Sequence, residues 1–389
     1  MRRRYLFALA IALIASTQGS AQLPAVRDDI PVTAPASAGG AHSLALRDDR
    51  TVWAWGHNYL GQIGDGTRTY RFTPVQVKGL THVTNLAAGY MHSLALRDDG
   101  TVWAWGSNEY GNLGDGTTDN SLTPVHVSGL RHVTSVAAGW AYSLALLSNG
   151  SVWAWGDNNW GQLGDGTTHN SSMAVRVSGL THVTSLAAGW YHSLALLRDG
   201  SVWAWGSNQY GALGDGTKKD RSKPVQMDGL TNVIGIAAGD SYSLALRVDG
   251  SVWAWGGNHY HGVLGDGTTT TRYKPVRVSG LSNVTSIAAG SQHALALRSD
   301  GGLWAWGWNE YGQLGDGTTV DRHTPVQVKG PAHVNSPAAG LLHSLAVRND
   351  GSVWAWGYNA HSEPGANPYT QFQEGFITFR STPAQILGR

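Results

Sequence analysis

Cysteine is absent from this chain of 389 residues, so neither disulfides nor thiolate chemistry is available, and the fold must be held by packing and hydrogen bonds. Charge of one sign is also missing. With 27 basic and 26 acidic residues the formal balance is +1, which gives no electrostatic case for nucleic acid. Phenylalanine is scarce, at five residues. Only one sizeable apolar stretch occurs, from Tyr5 to about Ala15, preceded by Arg2, Arg3 and Arg4 and followed by Gly19-Ser20-Ala21. It is too short to span a membrane and reads as a secretory signal peptide over residues 1–21. Cleavage after Ala21 would move the balance to 24 − 26 = −2. The expected location is secreted or periplasmic, with no membrane insertion. No glycine-rich loop continues into Gly-Lys-Ser or Gly-Lys-Thr, so no phosphate cradle is expected.

What is abundant is glycine, at 52 residues, and tryptophan, at 18. Fourteen of the tryptophans form pairs in the string Trp-Ala-Trp-Gly, whose first member is Trp53, Trp103, Trp153, Trp203, Trp253, Trp304 and Trp354. The period is 50 residues, broken once by a single insertion. A unit of that length is one supersecondary element, copied because no copy can bury its own apolar face.

Within one copy, residues 82–89, 92–96, 101–105 and 123–127 alternate in the manner of short strands. Asp98-Asp99-Gly100 marks a hairpin between the second and third, repeated in later copies but with Arg50 in the glycine slot of the first. Pro74, Pro124, Pro224, Pro275, Pro325 and Pro383 fall at the start of the fourth strand, which places that strand at the sheet edge. The Ala-Ala-Gly strand suits a crowded axis. Seven such sheets predict an all-β, seven-bladed β-propeller of four-stranded antiparallel blades, with a linker at 22–31 and the propeller over 32–389. Each blade completes itself in sequence, the alternative being a ring closed by a borrowed N-terminal strand. The tryptophan pairs are expected to fill the wedges between blades.

The unit Gly-x-Asn-x-x-Gly-Gln-Leu-Gly-Asp-Gly-Thr, as at 156–167, preceded by Ala-Ala-Gly-x-x-His-Ser-Leu-Ala-Leu, resembles the repeat of the regulator of chromosome condensation family. The likeness covers about nine-tenths of the chain and implies a seven-bladed propeller. Members act in guanine-nucleotide exchange, chromatin docking, ultraviolet sensing and, among secreted bacterial relatives, β-lactamase inhibition. The even spacing leaves no room for an exchange hairpin between the tryptophan pairs. The only basic run is in the signal peptide, and Gly139-Trp140-Ala141 lacks the arginine of the photoreceptor motif. The secreted bacterial type fits best.

Chemistry is sought where copies differ. His42, His92, His192, His293 and His343 share one position, with Tyr142 and Tyr242 in the other blades, and are expected to bond backbone of the neighbouring blade rather than metal. Asp65, Asp115, Asp165, Asp215, Asp266 and Asp316 stand singly between glycines and are expected to cap their own turns, not to bind calcium. No catalytic pair stands out, and neither an enzyme activity nor a cofactor is expected.

The turn after the first strand and the loop after the third should emerge on one face, where Tyr90, Met91, Trp140, Trp190, Tyr191, Tyr110, Trp160, Tyr210, Trp308 and Tyr358 are the candidate partner-binding residues. The expected function is a secreted, monomeric binding module for a protein or glycan. Exchange-factor activity on a small GTPase and a structural cell-surface role are the alternatives. The last copy departs most, residues 363–379 holding Phe372, Phe376 and Phe379 where the Gly-Gln-Leu-Gly-Asp-Gly module stands elsewhere, which reads as a specialised contact loop or, in the favoured reading, a plug at the closure seam.

Overall fold

The computed structural model describes residues 36–258, 260–360 and 377–388. The expected signal peptide and linker, the first residues assigned to the propeller and most of the divergent segment, including Phe372 and Phe376, lie outside the described residues.

Blade 1 is built from strands Ala36–Ala38, His42–Leu46, Val52–Gly56 and Arg71–Gln76, paired antiparallel in that order. The same succession recurs in blades 2 to 7, spanning 83–126, 133–176, 183–226, 233–277, 284–327 and 334–387. Seven four-stranded sheets of consecutive strands make the expected propeller, each blade completing itself in sequence among the described residues. The described residues of every blade are strand, turn or loop.

Alternation explains the burial. His-Ser-Leu-Ala-Leu in the second strand is covered on both sides by neighbouring blades, so all five residues of His42–Leu46 are buried. The outermost strand meets a neighbour on one edge only, and the proline takes a partly buried position on it, as Pro74 does. Pro74 is the fourth residue of Arg71–Gln76, so the strand begins earlier than the proline suggested. A register shift between Ala54 and Gly56 adds the extra residues, pairing Gly56 with Arg71. Glycine is required at the end of the third strand: Gly106 has φ +103°, and a Cβ there would lie 2.6 Å from the Met91 carbonyl oxygen.

The core sits between blades. The second indole of each pair reaches back to the preceding blade, as Trp205 Nε1 donates to the Gln162 carbonyl at 2.8 Å and packs with Leu144, Leu163, Val177 and Ala195. Equivalent bonds link Trp105 to Gln62, Trp155 to Asn112, Trp255 to Ala212, Trp306 to Val263 and Trp356 to Gln313. The two members of a pair are unequal, however. Trp53, Trp103, Trp153, Trp203, Trp253, Trp304 and Trp354 are only half-buried, and four of them lie beneath an arginine, as Trp253 does beneath Arg247. Period-two alternation puts both indoles on one face, but only the second is deep enough to be sealed by the neighbour's loop.

Candidate functional site

The loop after the third strand is anchored to the turn after the first by main-chain bonds, Ser107 N to Met91 O at 2.9 Å, Asp157 N to Ala141 O at 2.9 Å and Ser207 N to Tyr191 O at 2.8 Å. Both segments therefore open on one face, as expected. Around the axis the Ala-Ala-Gly turns join each blade to the next through bonds such as Tyr90 N to Gly139 O (3.2 Å), Trp190 N to Gly239 O (3.1 Å) and Asp240 N to Ser291 O (3.1 Å). These bonds fix the backbone beneath the variable side chains. The axial channel is narrow at this face, with a cavity of about 70 Å³ bordered by Tyr90, Trp140, Trp190, Ser291 and Leu341.

Six of the ten candidate residues form one contiguous aromatic arc over blades 2 to 4. Tyr90 stacks on Trp140 with centroids 5.6 Å apart and meets Trp190 edge-on at 6.0 Å. Tyr110 leans on Trp140 at 6.3 Å, and Tyr191 lies 5.5 Å from Trp140, 6.3 Å from Trp190 and 6.4 Å from Trp160. These separations are those of favourable aromatic pairs. Met91 adjoins the arc, its sulfur 3.2 Å from Gln62 Nε2, and Tyr210 is half-exposed on the same face. Trp308 and Tyr358 belong elsewhere. They form a second arc, in which His261, Trp308, Tyr311 and Tyr358 follow one another at 5.1, 5.6 and 5.0 Å.

His261 escaped sequence reasoning. It lies where the single-residue insertion lengthens blade 5, and its Nδ1 is 2.7 Å from Asp321 of blade 6. The interruption of the 50-residue period was the available signal. Two carboxylates near the first arc were equally unmarked. Burial pushes Asp240 up to about 6 despite a hydrogen bond from Gln292, and burial likewise raises Asp157, which accepts from Asn159 and from Gln162 Nε2 at 2.8 Å.

The repeated polar residues are structural. His42 Nε2 lies 2.9 Å from the hydroxyl of Ser93 in the next blade, and His92, His192, His293 and His343 meet Ser143, Ser243, Ser344 and Ser43 in the same way. The expectation of a backbone acceptor holds only for the tyrosines, Tyr242 donating to the His293 carbonyl at 2.6 Å. Imidazole is shorter than phenol and reaches only the serine side chain. Asp165 accepts from the Thr167 amide at 2.8 Å, the turn role expected of it, and its counterparts at 65, 115, 215, 266 and 316 do the same. Four of these carboxylates also pair with an arginine.

No curated protein sequence matches the chain. Among solved structures, human WBSCR16 is 28% identical over 80% of this chain and 85% of its own, with a TM-score of 0.73. Yeast RCC1 (Prp20) of Saccharomyces cerevisiae is 27% identical over 86% and 85%, with a TM-score of 0.74. The ectodomain of the Physcomitrella patens receptor kinase CR4, 16% identical with a TM-score of 0.54, shares the fold. RCC1-like propellers are protein-binding modules. Regulator of chromosome condensation (RCC1) repeats match residues 249–297 and 300–347, and the RCC1-like domain matches residues 15–260. That match spans more than half of the sequence, and the described blades have its architecture: the chain belongs to the RCC1-like domain family.

Proposed function

We propose that the chain is an exported, non-enzymatic propeller that captures a protein partner through the face bearing Tyr90, Trp140 and Trp190. The observation that carries this reading is the six-ring arc confined to blades 2 to 4. A feature needed for sevenfold packing would recur in every blade, whereas Gly40, Asp240, Ser291 and Leu341 stand in the other blades where Tyr90, Trp140 and Trp190 do here. Clustered tryptophan and tyrosine on a rigid base are the residue types from which interface hot spots are made. The N-terminal pattern of basic, apolar and small residues supports export. Yeast RCC1 has been studied for binding to Gsp1p and histones, which favours a protein over a small molecule as the ligand class. Nucleotide exchange on a GTPase rests on that likeness alone, and an exported chain would not meet such a partner.

The test uses the chain from residue 22 onward as bait for proteins of the cell exterior, alongside the variant Tyr90→Ala/Trp140→Ala/Trp190→Ala. The variant should lose the captured protein while its melting temperature stays within about 3 °C of the parent, because none of the three rings belongs to the apolar clusters between blades. Undiminished capture by the variant rejects the site.

A further inference from the structure

The arc of blades 2 to 4 is aromatic and, in addition, purely anionic. The segments that build it, 89–91, 107–112, 139–141, 157–162, 189–191 and 207–212, together with the adjoining blade 5 turn at 239–241, contain Glu109, Asp157 and Asp240 and neither lysine, arginine nor histidine. This is a local bias in a chain whose total charge is nearly balanced. The surrounding loops sharpen it. In blades 1, 4, 5 and 6 the turn aspartate is neutralised by the arginine that opens the fourth strand: Asp65 with Arg71, Asp215 with Arg221, Asp266 with Arg272 and Asp316 with Arg322. In blades 2 and 3 that arginine is replaced by Ser121 and Ser171, so Asp115 and Asp165 lack that partner, although Lys223 approaches the Gly166 turn beside Asp165. The two blades that lose the arginine are the two from which Tyr110, Trp140 and Trp160 project.

Resting on the proposed partner-binding face, we infer that this arc receives a lysine or arginine side chain projecting from the partner protein. Tyr90, Trp140 and Trp190 offer ring faces at the channel mouth, and Glu109 and Asp240 supply the opposing charge. A cation over an aromatic face is attracted by the ring quadrupole, and a rim of carboxylates adds steering and selectivity. An apolar anchor would be served as well by the rings alone and would gain nothing from three acids without a base. Asp240 has a further property suited to the task. Its carboxyl is driven up by burial despite a hydrogen bond from Gln292, so a bound ammonium or guanidinium would offset that burial.

The experiment titrates the intact chain with capped pentapeptides of sequence Gly-Ser-X-Ser-Gly, where X is lysine, arginine, norleucine or glutamate, and with cellohexaose, reading tryptophan fluorescence and heat. Lysine and arginine peptides should bind at least tenfold more tightly than the norleucine peptide, and 0.5 M salt should erase most of that preference. Glu109→Gln/Asp240→Asn should reduce the ratio below threefold while the chain still melts in one cooperative transition. Glu109 is exposed, so Glu109→Gln alone should lower the ratio even if the buried substitution disturbs folding. Equal binding of the norleucine peptide, preference for glutamate or cellohexaose, absence of binding by every peptide, or a ratio preserved in the variants overturns the inference. Failure here is separable from failure of the face itself. Partner capture that is lost in the triple alanine variant but intact in Glu109→Gln/Asp240→Asn removes the cation reading alone.

Discussion

An imidazole that donates from one nitrogen and must stay uncharged is a poor neighbour for acid. The Ser93 hydroxyl already donates to the Gln62 carbonyl at 2.9 Å, so it can only accept from His42 Nε2. The same logic holds for His92 on Ser143, His192 on Ser243 and His293 on Ser344, whose hydroxyls donate to Asn112, Ala212 and Gln313. Each ring is therefore the neutral Nε2–H tautomer. Among the described residues Nδ1 of His42, His92 and His293 has no partner to stabilise a proton. Burial lowers His42 and His293 to about 3 and His92, His192 and His343 to about 4, and burial lowers His57 to about 4 as well. In the unfolded chain these six rings take a proton near 6.5. Below that pH the unfolded state binds more protons than the folded one, so stability is complete above 6.5 and falls as acid is added, levelling only near 3 to 4. Each ring contributes a slope of up to about 1.4 kcal/mol per pH unit. Asp240, raised by burial to about 6, opposes one of the six, because it gains its proton first in the folded state. Turn carboxylates such as Asp99, held low by the Thr101 hydroxyl, lose their contribution only below the ordinary carboxylate range. Denaturant unfolding at pH 7.5, 6.0 and 5.0 should show this decline, and His92→Tyr, which copies Tyr142 and Tyr242, should flatten it by about one ring's share. Superimposable pH profiles for the two proteins would refute the neutral-imidazole account.

At the scale of the element, the Gly-x-Asn-x-x-Gly-Gln-Leu-Gly-Asp-Gly-Thr module is a folded unit organised around its asparagine. Asn158 is fully buried; its Oδ1 accepts from the Leu163 amide at 2.9 Å, and its Nδ2 donates to the carbonyls of Thr167 at 3.2 Å and His169 at 3.1 Å. That arrangement presents the Gln162 carbonyl to Trp205, and Gly164 lets the indole close, since a Cβ there would meet Trp205 Nε1 at 2.7 Å. Asn158→Ala would leave a buried amide unsatisfied and should cost about 2 kcal/mol, with the loss read in urea unfolding. A change below about 0.5 kcal/mol would mean that the module is held by its glycines alone. Much of this was legible in advance: the strands from alternation, the edge from its prolines, the turn aspartates from their glycine flanks. The histidine partner was not, because His92 and Ser93 are adjacent in one copy while the bond runs to Ser143 in the next, and a repeat gives no sign that its neighbours interlock one position out of step. The unequal indoles were hidden for a related reason, since alternation specifies a face but not a depth. Tyr90, Trp140 and Trp190 stood out as departures from the repeat. Their union with Tyr110, Trp160 and Tyr191, and the separation of Trp308 and Tyr358 into another arc, depend on angles between blades that no single copy encodes.

At the scale of the whole ring, closure depends on one junction that differs in kind from the other six. Among the described residues, blades 1 and 7 meet without a connecting segment or a strand shared between them. The polar belt is continuous there: Leu341 N meets Gly39 O at 3.1 Å, matching the corresponding bonds elsewhere, and His343 reaches Ser43 at 2.9 Å. The apolar contribution is thinner. Trp55 keeps 8% exposure where Trp105, Trp155, Trp205, Trp255 and Trp306 have none. The loop that would offer Trp55 a carbonyl falls within residues 361–376, outside the described residues. Opening should therefore start at this junction, as a local event of lower free energy than global unfolding. Native-state hydrogen exchange tests this directly. Amides of His42–Leu46 and Val52–Gly56 in blade 1, and of His343–Arg348 in blade 7, should exchange at least tenfold faster than those of His192–Leu197 and Val202–Gly206 in blade 4. The two groups should converge as urea raises the share of global unfolding. Equal protection in water would show that the ring has no weak seam, and faster exchange in blade 4 would place the first opening opposite the chain ends, where covalent continuity ought to prevent it.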